Sequence, residues 1–414
     1  MKPDLSIDFC GIHFRNPFVV APSPSTHSGD QVRRAFDHGW AGVVWKTLGA
    51  ISGVEHPKVS PCYARQGWTD GLAGFENIDL GNDVPLEESL RDIREVKKDN
   101  PQSVLIVSIR GEKSEEKWKN LARRVEDAGA DMLELMFSCP HDIADSHEGE
   151  AEVGRLARDI AEWTRQVVRL PIMVKMSPNV TDIRVPARAA KEGGANAISA
   201  TNTIRCLMGI DLKTLRPLPT VGGMSAFGGY SGPAIKPVIL RFVAELARDP
   251  KLGLPISAIG GVTSWIDAAE YLLLGARTIQ VGTAGMFYGF RIIEDLVSGL
   301  ENLMVEKGFA SVSDMVGLSL PYLTTQPSLD RKFRVKARVN LEHCIHCLRC
   351  YVACRDGAYM AIEVGPERTP VVSEERCQGC SLCALVCPVE GTVQMEPVDR
   401  EKKEVTCSEG LYAR

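Results

Sequence analysis

Gly129-Ala130-Asp131-Met132-Leu133-Glu134-Leu135-Met136-Phe137-Ser138-Cys139-Pro140 is the stretch that decides the fold. It holds three things in order: a glycine with a small neighbour, a short apolar run, and a turn that carries a cysteine. The first part recurs as Gly39-Trp40-Ala41-Gly42, Gly194-Ala195-Asn196 and Gly275-Ala276-Arg277, each followed by an apolar run. A glycine one place past a helix end takes the left-handed conformation that other L-residues resist. Each copy therefore reads as a helix turning back into a strand.

Working outward, eight such runs appear: Phe18–Ala21, Val43–Trp45, Val104–Ile109, Met132–Phe137, Ile172–Met176, Ala197–Ala200, Ile256–Ile259 and Thr278–Val281. Between most of them lie helical stripes. Leu86, Leu90, Ile93 and Val96 share one face. Glu116–Ala128, Val153–Val168, Pro237–Ala247 and Trp265–Leu274 behave likewise, and residues 288–307 follow. Leu5, Ile7 and Phe9 alternate ahead of Gly11, which predicts a short hairpin before the first run. Eight evenly spaced strand–helix units over about 300 residues predict an α/β (β/α)8 TIM barrel rather than a doubly wound open sheet. Its active site then lies at the C-terminal strand ends.

Those ends are informative. The first run leads into Ala21-Pro22-Ser23-Pro24-Ser25-Thr26, small enough for a flat ring to lie against backbone. The second ends at Lys46-Thr47, and the fifth carries Lys175. Two lysines at one barrel mouth suggest an anionic ligand. The sixth ends Thr201-Asn202-Thr203, and a long loop then contains Gly228-Gly229-Tyr230-Ser231-Gly232. Gly260-Gly261 and Gly282-Thr283 follow runs seven and eight, where barrels of this class cradle a phosphate on backbone N–H groups. The fourth run ends at Cys139, whose thiol on the rim is a candidate general acid.

Eight of the 13 cysteines occupy one stretch, Cys344-x2-Cys347-x2-Cys350-x3-Cys354 and Cys377-x2-Cys380-x2-Cys383-x3-Cys387-Pro388. This is the thiolate spacing for two [4Fe–4S] clusters, the fourth cysteine of each run serving the other cluster. Cys344, Cys347, Cys350 and Cys387 form one set, and Cys377, Cys380, Cys383 and Cys354 the other. Zinc sites do not repeat this pattern, and a disulfide framework belongs to small secreted domains. Arg355 follows Cys354 where a proline is usual. With clusters on the same chain, FMN is the natural phosphorylated cofactor, since it accepts single electrons and delivers hydride.

The chain has 414 residues, 44% hydrophobic and 24% charged, with net charge −5, which argues against a nucleic-acid partner. No apolar stretch approaches the roughly 20 residues that span a membrane. No signal-peptide pattern opens the chain, so a cytoplasmic protein is expected. The domain expectation is a barrel over 1–310, a linker over 311–334, a ferredoxin-like α+β domain over 335–395 and a charged tail over 396–414. Five basic residues between 331 and 338 read as a solvated strand face, with an acidic partner as the other reading.

Phe137-Ser138-Cys139-Pro140, Asn202-Thr203, Lys46, Lys175 and the glycine pairs resemble the FMN barrel of dihydroorotate and dihydropyrimidine dehydrogenases. With the cluster segment appended, residues 1–395 resemble the pyrimidine-reducing subunit of the bacterial NAD-dependent dihydropyrimidine dehydrogenases and the C-terminal part of the larger eukaryotic enzymes. The resemblance implies FMN at the barrel mouth, hydride passing from flavin N5 to C6 of uracil or thymine, and Cys139 protonating C5. It implies pyrimidine contacts from Asn77, Asn202 and Thr203. It implies FMN contacts from Ser23, Lys46, Thr47, Lys175, Gly229, Ser231, Gly232, Gly260, Gly261, Gly282 and Thr283. No G-x-G-x-x-G opens a helix after a strand, so electrons are expected from a separate NAD(P)H-oxidising flavoprotein or iron–sulfur subunit, in a homodimer or hetero-oligomer. Met136 stands at a substrate position where the family has asparagine, and a thioether is a poor partner for ring C=O and N–H groups. The loop at 142–148 also differs from the family's. The alternatives are a non-pyrimidine substrate on the same scaffold, or an electron-relay subunit of a larger redox complex.

Overall fold

The computed structural model describes residues 2–49, 58–68, 71–111, 114–136 and 150–398. It divides into two compact units, Met1–Leu323 and Thr324–Arg414.

In the first unit, the eight apolar runs become strands β1 (Phe18–Val20), β2 (Gly42–Leu48), β3 (Val104–Ile109), β4 (Met132–Met136), β5 (Ile172–Lys175), β6 (Ala197–Ala200), β7 (Ile256–Ile259) and β8 (Ala276–Val281). Each pairs in parallel with its sequence neighbour, and β8 pairs with β1, so the sheet closes into a barrel. The TIM-barrel expectation holds. Helices α1 (Gly29–Asp37), α2 (Leu86–Asp99), α3 (Glu115–Asp127), α4 (Glu150–Arg165), α5 (Arg184–Glu192), α6 (Lys236–Ala247), α7 (Trp265–Leu273) and α8 (Ile292–Lys307) follow the strands in order. The periodicity reading passed over α1 and α5. Both are short, and their buried faces rest on few residues: Val32, Ala35 and Phe36 in α1, and Pro186, Ala187 and Ala190 in α5.

The recurring glycines do what their position requires. Gly39, Gly129, Gly194 and Gly275 all have positive φ. After α5, Gly194 N–H donates to Lys191 O at 2.9 Å and Ala195 N–H to Ala190 O at 3.0 Å, the reciprocal pair that closes a helix end. At Gly275 a side chain would also collide, since a Cβ there would stand 2.7 Å from the Ala247 Cβ.

The opening hairpin forms between Ile7–Phe9 and Ile12–Phe14. Phe9 and Phe14 are buried edge to face at 6.2 Å, and Phe14 packs against the start of β2. Residues 311–323, expected within a linker, lie in the first unit, where Val312 and Met315 are fully buried.

A four-stranded antiparallel sheet was not foreseen. Its order is Ile204–Cys206, Gly228–Ser231, Gly71–Asn77, Tyr63–Trp68. The β2–α2 and β6–α6 connections each supply two of its strands. Gly228-Gly229-Tyr230-Ser231, read as loop, is one of them. Its glycines make room for neighbours: a Cβ on Gly229 would lie 2.2 Å from Thr203 Oγ1, and one on Gly228 would lie 2.6 Å from the Glu76 Cγ.

In the second unit, Val335–Val339 pairs antiparallel with Val393–Pro397, and Ile362–Val364 with Pro370–Val372. Helix Arg349–Gly357 and the short helix Leu382–Leu385 carry cysteines inward. Of the basic residues expected on a solvated strand, Lys336 donates to the carbonyls of Glu374 and Cys377, and Arg338 pairs with Glu374 and Glu396. Among the described residues, no helix is long and apolar enough to cross a membrane.

Gly275→Ala should lower the barrel's stability by about 1–3 kcal/mol, through backbone strain and the clash with Ala247. A drop in the thermal unfolding midpoint, with no change in the cluster absorption of the native protein, checks this.

Candidate active site and cluster sites

Successive strand residues face opposite sides of the sheet, and every barrel strand but the all-apolar β1 carries a buried polar residue toward its C-terminal end. Register aligns them: Ser108 with Glu134, Lys175 with Ser199, and Ser199 with Ser257. The Gln280 amide nitrogen donates to Ser199 Oγ and Ser257 Oγ, both at 3.1 Å. Thr47 Oγ1 and Ser108 Oγ lie 2.9 Å apart. Lys175 Nζ stands 3.5 Å from Glu134 Oε1. These groups are all buried. Barrel interiors are usually filled with Val, Ile and Leu, so the ring marks the end where chemistry is placed.

Above the ring opens a cleft of about 770 Å³, counting solvent at its mouth, a size that suits a cofactor. Of the residues expected to bind cofactor, Ser23, Lys175, Ser231, Gly232, Gly260, Gly261, Gly282 and Thr283 line it. So do the expected substrate residues Asn77, Asn202 and Thr203. Lys46 does not. It is buried in an ion pair with Asp79 at 2.7 Å, beside Thr47, which bonds Ser108. Gly229 sits in the four-stranded sheet against Thr203. Met136 closes β4 and pairs in register with Lys175, which places its side chain on the inner face one step above Glu134. Cys139 and the loop at 142–148 lie outside the described residues.

The asparagines are oriented by backbone. Asn77 Oδ1 accepts from Asp79 N–H at 2.6 Å, and Asn202 Oδ1 accepts from Thr203 N–H at 2.9 Å. Each carboxamide is thereby fixed with its NH2 directed away from that bond. Asn179, beyond β5, accepts from Arg205 N–H at 2.9 Å and donates to Thr203 O at 3.3 Å, so it shapes the loop that carries Thr203.

Two clamps hold the cleft's walls. Glu76, next to Asn77, is fully buried and accepts from Met208 N–H at 2.9 Å and Gly228 N–H at 3.0 Å, tying the two long connections together. Burial pushes its carboxyl up, against those hydrogen bonds. The second clamp is Asp267. Its Oδ2 accepts from Thr263 N–H at 2.9 Å, Thr263 Oγ1 at 3.0 Å, Ser264 N–H at 2.8 Å and Ser264 Oγ at 2.9 Å. Its Oδ1 takes Lys236 Nζ at 2.6 Å. This fixes the Gly260–Thr263 loop to the start of α6, where a Cβ on Gly261 would meet the Lys236 backbone nitrogen at 2.9 Å. Thr283 Oγ1 donates to Ser231 Oγ at 2.8 Å, joining the end of β8 to the four-stranded sheet.

The cleft fits a flavin nucleotide. Ala21, Pro22, Ile259 and Val262 offer apolar surface, three glycine-bearing loops meet at one end, and the polar ring lies below. Gln280 lines the cleft and its Oε1 has no hydrogen-bond partner among the described residues, which suits an acceptor for a donor on the bound group. The sequence reading missed Gln280, Phe75, Thr201, Thr263 and Met286. Gln280 gave little signal, because its strand, Ala276–Val281, also holds Arg277 and Thr278.

In the second unit a cavity of about 340 Å³ is lined by Cys354, Cys377, Cys380 and Cys383 together, one of the two sets that the spacing pairs. Cys350 shares its electrostatic surroundings with Cys344, Cys347 and Cys387, the other set. Burial pushes the Cys383 thiol up to about 11, a cost that a bound metal reverses by stabilising thiolate. Among the described residues no three Cys, His, Asp or Glu side chains converge as they would on a single ion. Four thiols around an open cavity suit a cluster instead. The loops are alike: His346 and Gly379 before the second cysteine, and Leu348 and Ser381 after it, all have positive φ. Repeating a left-handed conformation at non-glycine residues costs about 1–3 kcal/mol each and curls both loops around their sites. Arg355 explains itself. The first helix runs on to Gly357, whereas Leu382–Leu385 stops short of Pro388, which has no N–H to continue it.

Two family models match the chain: Dihydroorotate dehydrogenase over residues 4–304 and the 4Fe-4S dicluster domain over 337–395. The chain is 44% identical over 410 residues to the NAD-dependent dihydropyrimidine dehydrogenase subunit PreA of Escherichia coli (strain K12), covering 98% of each chain. It is 38% identical over 344 residues to the chloroplastic dihydropyrimidine dehydrogenase (NADP(+)) of Arabidopsis thaliana, covering 80% of each. It is 35% identical over 325 residues to the catalytic subunit of dihydroorotate dehydrogenase B (NAD(+)) of Pyrococcus abyssi, covering 76% of this chain and 99% of that one.

The Asp267 clamp has a pH signature. Burial alone would raise its carboxyl, but Lys236 and the Thr263 N–H outweigh it and hold the group below its ordinary value of 3.8. The clamp's stabilisation is therefore complete above that value and is lost as pH falls through the lower folded value. Asp267→Asn should cost about 2 kcal/mol or more at pH 7 and flatten the acid limb of barrel stability. Denaturation midpoints between pH 3 and pH 7 check both.

Proposed function

Because the chain belongs to the dihydroorotate dehydrogenase family, we propose that it is an FMN and iron–sulfur oxidoreductase that reduces the C5=C6 bond of uracil or thymine, a reaction of the dihydropyrimidine dehydrogenase type. The observation that carries this reading is the likeness to the PreA subunit over 98% of both chains. Barrel and cluster unit thus occur together and in the same order. The barrel unit, which takes in residues 311–323 of the expected linker, holds the flavin, and the ferredoxin-like unit, which runs on through the strand Val393–Pro397, holds two [4Fe–4S] clusters.

FMN supplies hydride and single-electron chemistry when bound. Lys175 and Gln280 would meet its polar edge from the barrel floor. Ser23 would lie beside the ring, and Ser231, Gly232, Gly260, Gly261, Gly282 and Thr283 would hold its phosphate. Lys46 and Thr47 act from one step further back, through Asp79 and Ser108. Asn77, Asn202 and Thr203 orient the pyrimidine, their carboxamides set by the backbone bonds described above. Cys139 Sγ delivers a proton to C5 on the face opposite the hydride.

The eight cysteines from Cys344 to Cys387 ligate the clusters. Electrons come from a separate NAD(P)H-oxidising flavoprotein or iron–sulfur subunit; the word "subunit" in the relative's name supports such a partner. A homodimer or hetero-oligomer in the reducing cytoplasm suits free thiolate ligands.

Met136 favours a second reading. On the inner face at the end of β4 it offers no hydrogen bond where the family resemblance implies an amide, and a site short of polar partners discriminates against a polar ring. The same scaffold then reduces a less polar unsaturated ring.

The test is direct. The protein is purified without oxygen, its flavin is reduced chemically, and uracil or thymine is added. Loss of the pyrimidine ultraviolet absorbance is expected. Cys139→Ala should then lose about 100-fold or more in turnover while retaining flavin. A flavin that becomes reduced and turns over neither pyrimidine favours the second reading, and Met136→Asn should then introduce pyrimidine turnover.

A further inference from the structure

The polar ring contains one charge that the chemistry above does not use. Glu134, in the middle of β4, is fully buried. Lys175 Nζ lies 3.5 Å from its Oε1, and the Gln280 amide nitrogen 3.5 Å from its Oε2. Among the described residues, Glu134 Oε1 takes no hydrogen bond. Lys175 and Gln280 line the cleft; Glu134 does not, and stands behind both. Burying a carboxylate with such long contacts is unfavourable, and a leucine or methionine would fill the same space in a barrel interior. Packing therefore does not account for a glutamate here.

We propose that Glu134 is a positioning residue that holds Lys175 and Gln280 at the floor of the cleft and offsets the Lys175 charge, so that the bound cofactor meets a neutral pair rather than a bare cation. The inference rests on the reading that the cleft holds FMN. Its consequence is electrostatic. A flavin gains negative charge or protons on reduction. An uncompensated ammonium in a water-poor site stabilises that gain strongly, since buried charges are little screened. Electrons would then be held on the flavin. The pair lowers that preference and leaves the reduced cofactor able to pass its electrons on. Gln280 is tied into the same arrangement, because its amide nitrogen is shared among Ser199, Ser257 and Glu134. Its Oε1 is left without a partner among the described residues.

The experiment measures the midpoint potential and flavin content of the full, cluster-loaded chain by anaerobic titration against reference dyes. The flavin bands are read separately from the cluster signals. Glu134→Gln should favour the reduced flavin by about tenfold or more, which is about 30 mV for a two-electron couple. Lys175→Met should shift the equilibrium the other way. The double variant should return to within about threefold of the unaltered protein, and Glu134→Asp, which keeps the charge, should also stay near it.

An unchanged potential in Glu134→Gln with flavin bound overturns the proposal. So does a double variant that follows Lys175→Met alone. Loss of flavin from folded Glu134→Gln, with Glu134→Asp retaining it, supports the positioning role. Should Glu134→Gln not fold, the double variant and Glu134→Asp decide. An unaltered protein that folds and takes up no flavin overturns the functional reading itself, a result distinct from flavin bound at an unmoved potential.

Discussion

Closing eight parallel strands on one another removes every free edge and turns alternate side chains into a space that water does not enter. Polar groups persist there only by satisfying one another. In this barrel most of the lower inward positions are apolar, Thr278 of β8 being the exception. The upper ones carry Thr47, Ser108, Glu134, Lys175, Ser199, Ser257 and Gln280, linked through hydrogen bonds, the Lys175–Glu134 ion pair or register. That sorting defines which end is the floor of a site. The cleft, the glycine-bearing loops and the asparagines are all arranged above it.

The loops above the floor are not loose. Two connections, far apart in sequence, combine into one antiparallel sheet, and Glu76 fastens them by accepting N–H groups from the second connection. This places Asn77 from one connection and Ser231 from the other in the same cleft. The glycines of this sheet serve packing. Gly229 yields to Thr203, Gly228 to Glu76, and Gly74 to the Tyr230 ring, whose hydroxyl bonds Gln66. The Asp267 clamp performs the same task on the opposite wall, converting a helix cap into the support of the Gly260–Gly261 turn.

The cluster unit shows a different economy. Its buried cluster is small, and four of its members are Ala337, Ala361, Ile362 and Met395, packed with Cys350, Cys354 and Cys383. Cysteines of both motifs are part of the core. Where buried thiols bind metal, folding and metal binding are coupled, because the metal must deprotonate groups that also fill the interior. The two cysteine runs are related by repetition, down to the left-handed residues that flank Cys347 and Cys380. They differ where Arg355 replaces proline and its helix runs longer.

Local patterns were enough for much of this. Eight apolar runs, four helix-ending glycines and two cysteine motifs each depend on residues close together in sequence, and their chemistry admits few alternatives. They determined the barrel, the presence of a two-cluster domain and the end of the barrel where the cleft lies. Of the expected cleft residues, those on strand ends and turns, such as Lys175, Asn202 and Gly260, were legible for that reason. What the tertiary structure alone decided is which of these residues meet. Lys46 and Lys175 look equivalent at two strand ends, yet one is spent on Asp79 and the other lines the cleft. Glu134 reads as an isolated polar residue in an apolar strand and Gln280 as one of several polar residues in β8, until barrel closure brings β4 and β8 to face each other across the interior. Gly228 to Ser231 read as loop because a strand's partner, residues 71–77, lies more than a hundred positions away. Local sequence encodes the conformation each segment favours. The pairing of distant segments depends on the free energy of the whole closed barrel, which no single window contains.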